Sequence, residues 1–325
     1  ANACTGVRGL RDAQTMAQLA ANGLGLKPGE VLVASTGIIG RPLPMDKVKA
    51  GVQGALARMG RSAHHASRIT QAIMTTDTRP KTVAVRFRLG GCEVRLGGIT
   101  KGAGMIAPGM ATTLCFLTTD TAITAPMLQR ALRVAIGQSF NAITVDGHMS
   151  TNDTAVILAN GVAGNRLISA PGRDFQAFQA ALSFVALRLA QAIVRDGEGA
   201  TKFVEILVRG AKSDAEARRA ARAIADSALV KTALNGGDPN WGRIVSAAGY
   251  AGIVMREERA SLRLSGVLVY EKGLPIESAV KPAAAKMKAQ DIRIVLDLGL
   301  GAGQATVWTC DLSHGYVTIN AEYHT

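Results

Sequence analysis

The chain has 325 residues, of which 48% are hydrophobic, 19% charged and 4% aromatic. This is enough apolar material for an aliphatic core in one large domain or two, and it excludes a disordered chain, a coiled coil and a small disulfide-stapled domain. The formal net charge is +13. Because the basic residues are scattered singly and no aromatic residues interleave with them, we expect a solvated basic surface and no nucleic-acid partner.

Neither a membrane span nor a secretion signal is predicted, which favours a cytoplasmic protein. The most apolar stretch, 155–170, contains Asn160, Asn165 and Arg166. The chain does not open with a basic segment followed by an apolar one. The four cysteines lie far apart without a CxxC pair, and the histidines lack a metal-binding spacing, so we expect reduced thiols and no metal.

Helix and strand patterns are mixed along the chain, which predicts an α/β fold. The first half begins with an amphipathic helix over 9–26, followed by a buried strand over 30–34 that runs into a Gly- and Pro-rich loop. Alternating apolar and basic residues predict a half-exposed strand over 83–88. Apolar residues at spacings of three and four predict a long helix over 175–193, ended by the turn at 196–199.

The C-terminal part continues with a strand over 203–208 and a helix over 215–225, for which Ser213 and Glu216 form a capping box. Further strands are predicted at four places, namely 261–270, 293–298, 305–310 and 316–320.

The most informative segment is 97–120, in which a Gly-rich stretch with a lone Lys101 leads to small residues and then Thr112. If the Thr112 hydroxyl attacked the carbonyl of Ala111, an N-to-O acyl shift and hydrolysis would make Thr112 a new N-terminus. Its amine would then activate its own hydroxyl as a nucleophile. Taken alone, the pattern is more commonly a Gly-rich turn entering a strand.

A second loop, 35–40, could place the Thr36 hydroxyl and the Gly37 N–H at one point, as in an oxyanion hole, although an ordinary turn is the commoner structure. It lacks the spacing of a phosphate loop. Four further clusters could line a polar pocket, with capping, turn formation or, for the last, core packing as the commoner roles. They are 75–78, 146–154, 196–202 and 238–243.

Seven segments spread over nearly the whole chain are together far more specific than any one motif. They are VLVASTGIIGRPLPMDK, IMTTDTRPK, TKGAGMIAPGMATTL, TVDGHMSTNDT, VRDGEGATKFVEI, VKTALNGGDPNWGRI and WTCDLSHGYVTINAEYHT. In these segments and their order the chain resembles the ornithine acetyltransferase family, whose members are glutamate N-acetyltransferases that cleave themselves.

The resemblance implies a role for each matching residue. Thr112 corresponds to the nucleophile, with cleavage between Ala111 and Thr112, and Thr36 and Gly37 correspond to the oxyanion hole. The substrate-binding positions correspond to Thr75, Lys101, Thr112, Glu198, Asn320 and Thr325, with Thr76 and Thr78 as further candidates. Lys101 would pair with a substrate carboxylate, and Glu198 would receive an ornithine amine or orient the attacking group.

The resemblance also implies a layered α-β-β-α sandwich of the self-cleaving Thr-nucleophile type with a smaller C-terminal α/β lobe. The implied α-chain part is 1–111 and the β-chain part 112–325, with a second lobe at about 205–325, and the cleaved chains would assemble as α2β2. The acetyl group would pass from N-acetylornithine to Thr112 and then to glutamate. No dissociable cofactor is then needed, although acetyl-CoA remains an open second donor.

Three departures from the family pattern stand out. Relatives usually have a further segment upstream of the first residue, so we expect the N-terminal part of the fold to be truncated. Gly109 replaces a polar residue before the cleavage motif and should alter the rate of cleavage. His148 replaces an acidic residue in a loop, where we expect little effect.

Two alternatives remain open. An aminopeptidase- or amidase-type hydrolase on the same scaffold would differ only in using water as the acyl acceptor. An inactive, uncleaved fragment that binds nucleic acid through its basic surface would show steep loss of binding with salt.

Overall fold

The computed structural model describes residues 1–107 and 113–322. Its helices are α1 (Gly6–Leu24), α2 (Met45–Ala57), α3 (Ala63–Ala72), α4 (Ala125–Gly137), α5 (Arg173–Arg195), α6 (Asp214–Asp226), α7 (Ala228–Gly236), α8 (Trp241–Gly249), α9 (Val280–Lys286) and α10 (His314–Glu322). Its strands are β1 (Lys81–Leu89), β2 (Cys92–Lys101), β3 (Leu114–Thr119), β4 (Thr154–Ala159), β5 (Phe203–Ala211), β6 (Ser261–Leu264), β7 (Val267–Glu271), β8 (Leu274–Pro275), β9 (Asp291–Asp297) and β10 (Gly303–Cys310).

The strands form two sheets, so the predicted α/β class is confirmed. The first has the order β1-β2-β3-β4, in which only the β3–β4 pair is parallel. The second has the order β10-β5-β9-β6-β7-β8, in which β5 and β9 are parallel. The parallel β3–β4 pair places the residues before both strands at the same edge of the first sheet.

Helix α5 carries the core of the first sheet. Its predicted apolar stripe, which includes Phe178, Leu182 and Leu189, is fully buried and packs against β1 and β2. By length and composition alone α5 could cross a membrane, as could many core helices. A second core lies between β5, β9 and β6 on one side and α6 to α8 on the other.

The elements of the second sheet follow the sequence pattern closely, with one change. The Ser213 hydroxyl accepts the N–H of Glu216 at the start of α6, which is one half of the predicted capping box. The reciprocal bond does not form within the described residues, where Glu216 Oε2 is buried without a partner. The single strand predicted over 261–270 is instead a hairpin, β6 and β7. It is divided at Ser265 and Gly266, which both have positive φ.

The strand predicted over 30–34 does not form, although the structure describes all five residues. Residues 31–36 join no sheet, and Leu32 and Val33 are 69% and 40% exposed. Side chains hold the segment instead, since the Asn152 amide donates to the Ser35 hydroxyl at 3.3 Å. The run of apolar residues at 30–34 therefore did not predict the structure correctly, because a strand also needs a neighbouring strand to pair with.

The strand predicted over 316–320 is also wrong, because these residues lie within α10. A helical spacing of four places Tyr316 and Asn320 on one face, where they bond to Asp146 and Glu198. Val317 stays exposed. These tertiary contacts outweigh the strand preference of the apolar and aromatic residues.

The densest basic group of the sequence has a structural role. On α6, Arg222 donates to the carbonyls of Ile143 and Asn141, and Arg218 to that of Gly137. Arginines that are engaged in capping carbonyl groups are less available to phosphates. This arrangement is consistent with a structural rather than a nucleic-acid role for the group.

Candidate active site

The best-defined contact of the predicted site joins Lys101 and Thr36. Lys101 ends β2 and is only 9% exposed, and its ammonium group donates to the Thr36 hydroxyl at 2.7 Å. Burial lowers the pKa of Lys101, partly opposed by the charges of Asp77 and Asp153 and assisted by that of Lys81. Gly37 follows at φ 132°, a backbone angle that residues with a Cβ rarely adopt.

A buried ionic cluster, which we call the Lys81 triad (Asp77, Lys81 and Asp196), lies next to this contact. The Lys81 ammonium group bonds to Asp77 at 2.5 Å and Asp196 at 2.6 Å, and all three side chains are at most 1% exposed. Burial opposes ionisation of Asp196, but hydrogen bonds from Lys81 and Thr78 outweigh it and lower its pKa. Asp77 also accepts the N–H of Gly102 at 2.7 Å, which fixes the backbone directly after Lys101.

The threonines at 75–78 are placed mainly by this triad. Thr75 is exposed and donates its N–H to Asp77 at 3.1 Å, and no hydrogen bond of its hydroxyl group is found among residues 1–107 and 113–322. Thr78 donates both its N–H and its hydroxyl to Asp196. Thr78 therefore helps to fix the Asp196 carboxylate of the Lys81 triad.

Glu198 and Asn320 lie on the far side of the same loop. The Asn320 amide donates to the Glu198 carboxylate at 2.9 Å, and the Glu198 N–H donates to the carbonyl of Ala103 at 2.9 Å. The carboxylate also lies directly over Gly104, where an added Cβ would come within 2.3 Å of it. Lys101 and Glu198 thus flank one short stretch of backbone, 101–104.

Asp153 is an unexpected member of the site. It precedes β4, and the next residue, Thr154, donates its N–H to the carbonyl of Thr113 at 2.8 Å. Burial raises the pKa of Asp153 to about 7, against the opposing charge of Lys101. Its Oδ2 is buried and accepts no hydrogen bond within the described part of the chain.

A polar cavity of about 290 Å³ opens beside these groups. Ser35, Asn152 and Asp153 line it, together with Val33 and Met16. Since Ser35 immediately precedes Thr36, the cavity adjoins the Lys101–Thr36 contact. It is large enough for a small polar molecule.

Ala111, Thr112 and Thr325 lie outside the described residues, as does Gly109. The two residues that follow Thr112 lie close to other residues of the site. Lys101 is opposite Leu114 in the β2–β3 ladder, and Thr113 lies beside Thr154. Thr113 and Leu114, which follow Thr112, therefore lie at the edge of the first sheet where Lys101 and Asp153 lie.

Sequence reasoning gave no individual role to five ionisable residues at or beside the site. Asp77, Asp146, Asp153 and Asp196 were noted only as members of polar clusters, and Lys81 only as the last residue of the segment IMTTDTRPK. The four-residue spacing of Asp77 and Lys81 was a weak signal, but Asp196 is 115 residues from Lys81 and only the fold brings them together. His148 lies in a loop, as expected, and its side chain is exposed.

The cluster at 238–243 has the structural role that we favoured. Trp241 stacks on Tyr270 with ring centroids 5.2 Å apart, and the Asn240 side chain caps α8 by accepting the N–H of Arg243. Across residues 1–107 and 113–322, no group of three or more potential metal ligands is found.

Comparison with known proteins reveals extensive similarity. The sequence model of the ArgJ family matches residues 1–325. An arginine biosynthesis bifunctional protein ArgJ from Symbiobacterium thermophilum is 48% identical over 325 residues, covering 100% of this chain and 80% of that protein. One from Geobacter sulfurreducens is 49% identical over 326 residues, covering 100% and 82%.

A solved structure is similar as well. The crystal structure of an arginine biosynthesis bifunctional protein ArgJ from Bacillus halodurans aligns with a TM-score of 0.62 and 41% identity. The alignment covers 64% of this chain and 98% of that one.

Proposed function

The chain belongs to the ArgJ family, and we propose that it is a glutamate N-acetyltransferase of arginine biosynthesis that carries the acetyl group on Thr112. The observation that carries the proposal is that the buried Lys101 and the carboxylate of Glu198 lie at the two ends of one short loop, 101–104. An N-acetylated or free amino acid presents a carboxylate and, in ornithine and glutamate, an amine, so these two side chains match its charges.

Cleavage between Ala111 and Thr112 would generate the nucleophile. In the proposed first half-reaction, the Thr112 hydroxyl oxygen attacks the acetyl carbonyl of N-acetylornithine while its own amine takes the hydroxyl proton. The C–N bond then breaks, and ornithine leaves with that proton. In the second, the amine of glutamate attacks the acetyl ester, N-acetylglutamate forms, and the Thr112 oxygen is reprotonated.

The contact between Lys101 and Thr36 supports an oxyanion hole at this point. The Thr36 oxygen accepts a hydrogen bond from the Lys101 ammonium group, which leaves the Thr36 hydroxyl proton available for donation. A cation bonded to that oxygen also polarises the O–H bond and strengthens its donation. With the N–H of Gly37, two donors would then stabilise the negative charge that develops on the acetyl oxygen.

The remaining assignments follow from the family. Thr75, Asn320 and Thr325 would complete the substrate site, with Thr76 as a further candidate, and Asn320 would also orient Glu198. We propose a cytoplasmic enzyme without a dissociable cofactor, whose cleaved chains stay together as α2β2. Acetyl-CoA would be a second acetyl donor, as the word bifunctional in the relatives' name suggests.

The test uses N-acetylornithine labelled in the acetyl group, with and without glutamate. The proposal predicts labelled N-acetylglutamate and free ornithine in equal amounts. Labelled acetate that forms whether or not glutamate is present would instead indicate the hydrolase, which the relatives' name does not favour. Replacing the donor with labelled acetyl-CoA tests the second donor separately. Thr112→Ala is the control, since it removes the nucleophile from both reactions.

A further inference from the structure

The loop before the cleavage position contains a strained residue. Met105 has φ 56°, in the left-handed region that residues with a Cβ rarely adopt. Its neighbour Ile106 is fully buried. Strained backbone of this kind persists only where surrounding contacts hold it, and such positions are frequent at functional sites.

Asp146 supplies those contacts. Its Oδ2 accepts the N–H of Met105 at 2.6 Å, and its Oδ1 accepts the N–H of Ile106 at 2.9 Å. The residue before it, Val145, donates its N–H to the carbonyl of Ile106 at 2.6 Å. Val145 and Asp146 thus hold the N–H groups of both loop residues and the carbonyl group of Ile106.

The C-terminal helix supports Asp146 from the other side. The Tyr316 hydroxyl donates to Asp146 Oδ2 at 3.3 Å. Burial, and then the charge of Asp146, raise the pKa of Tyr316, so the phenol keeps the proton that it donates. Helix α10 also packs closely at Gly199, where an added Cβ would lie 2.2 Å from the N atom of Tyr316.

We propose that Asp146 is a positioning residue for self-cleavage: it holds the turn at Met105 and Ile106, a few residues before the bond between Ala111 and Thr112, in the conformation that cleavage requires. The inference rests on the proposed function. Asp146 exchanges no proton in the reaction. The Thr112 hydroxyl oxygen attacks the Ala111 carbonyl, the C–N bond breaks, and the hydroxyl proton passes to the new amine. Water then hydrolyses the ester and leaves the Ala111 carboxylate.

The backbone geometry before the bond matters because the attacking oxygen must lie close to the carbonyl carbon and in line with it. An asparagine at 146 would keep the size of the side chain but present one acceptor oxygen and one NH₂ group. It could therefore accept only one of the two N–H groups, and the other would face a donor. The left-handed turn at Met105 would then lose half of its support.

The experiment follows the appearance of fragments 1–111 and 112–325 by denatured mass after synthesis of the full chain. We expect Asp146→Asn to slow cleavage by about tenfold or more, because a small displacement of reacting groups has effects of this order. Tyr316→Phe should slow it by about twofold to fivefold, since it removes one longer hydrogen bond to the same carboxylate. Acetyl transfer per cleaved molecule should be unchanged in both.

Two further variants separate positioning from a general loss of structure. Met105→Gly in the Asp146→Asn background should restore part of the rate, because glycine adopts a positive φ without strain. Asp226→Asn is the matched control. Asp226 is a nearby carboxylate that accepts the Thr144 hydroxyl at 2.6 Å, whereas the N–H groups of Met105 and Ile106 are bonded to Asp146, so cleavage should be unaffected.

Normal cleavage of Asp146→Asn, or slow cleavage that Met105→Gly does not improve, would overturn the inference and leave the proposed function intact. A wild-type chain that never cleaves would overturn the proposed self-cleavage, and the inference with it. The two failures are therefore distinguishable.

Discussion

Two buried lysines at the same edge of the first sheet differ in the charge of the groups that they bond to. Lys81 begins β1 and pairs with two buried carboxylates, whereas Lys101 ends β2 and bonds to a hydroxyl group. The ladder places Lys81 opposite Thr100, so the two lysines are close neighbours in the sheet. Among the described residues, Lys101 has no carboxylate within ion-pair distance.

This contrast indicates a structural role for Lys81 and a functional role for Lys101. A buried charge with complete partners stabilises the arrangement around it, and here it fixes the 75–78 loop against the end of α5. A buried charge without a counter-ion is costly unless a ligand supplies one. Its altered pKa, in a site next to a cavity, is the usual mark of a functional group.

The largest expected effect tests the structural role of Lys81. Lys81→Met leaves the carboxylates of Asp77 and Asp196 buried without their cation, and we expect the free energy of unfolding to fall by about 3–5 kcal/mol. Urea titration measures it, with the exposed Lys281→Met as the control. An unchanged unfolding midpoint would mean that the Lys81 triad does not hold the loop.

The substitution Lys101→Met tests the functional role of Lys101. Because its charge is buried without a counter-ion, its removal should leave the free energy of unfolding equal or higher. We expect kcat/KM for acetyl transfer to fall by about 100-fold, since a buried charge-assisted contact to the substrate is lost. Steady-state kinetics on the cleaved protein measure this. Destabilisation as large as that of Lys81→Met would remove the distinction between the two lysines.

Asp153 gives a prediction that depends on pH. Its pKa is raised from 3.8 to about 7, so the folded chain binds this proton more tightly than the unfolded chain. The contribution of Asp153 to stability is therefore greatest below its unfolded pKa and is lost as pH rises towards 7. Asp153→Asn should raise Tm relative to wild type at pH 8 by more than at pH 4. An equal difference in Tm at both values would contradict the raised pKa.

The smallest expected effect concerns Asn320, which donates to Glu198. Asn320→Ala should raise KM for N-acetylornithine about threefold to tenfold with little change in stability, because one exposed hydrogen bond to a charged group is lost. Glu198→Gln provides the comparison, and it should have the larger effect. If Asn320→Ala lowered kcat alone, Asn320 would act on the chemical step rather than on binding.

Features set by local pattern could be predicted from the sequence. The stripe of α5 and the alternation of β1 appear as expected, because a residue's face depends only on its spacing from its neighbours. The strands predicted at 30–34 and 316–320 were wrong because the structure of these segments depends on distant partners. Asn152 and Asp146 decide them, and neither is near in sequence.

The site also combines residues that the sequence indicated with contacts that only the fold reveals. The family resemblance pointed to Thr36, Lys101, Glu198 and Asn320, and the structure brings these into two bonded pairs. The Lys101–Thr36 contact joins residues 65 apart in the chain. Asp146 could not be distinguished from an ordinary loop aspartate, since its importance comes from the strained turn at Met105 that it bonds to.

The most direct test of the central claim is the denatured mass of the purified protein before and after incubation with N-acetylornithine. The account predicts two fragments, 1–111 and 112–325, with Thr112 at the new N-terminus. The larger fragment should gain one acetyl group, and glutamate should remove it. A single chain that stays uncleaved and acquires no acetyl group would contradict the proposal that this protein is a self-activating acetyltransferase.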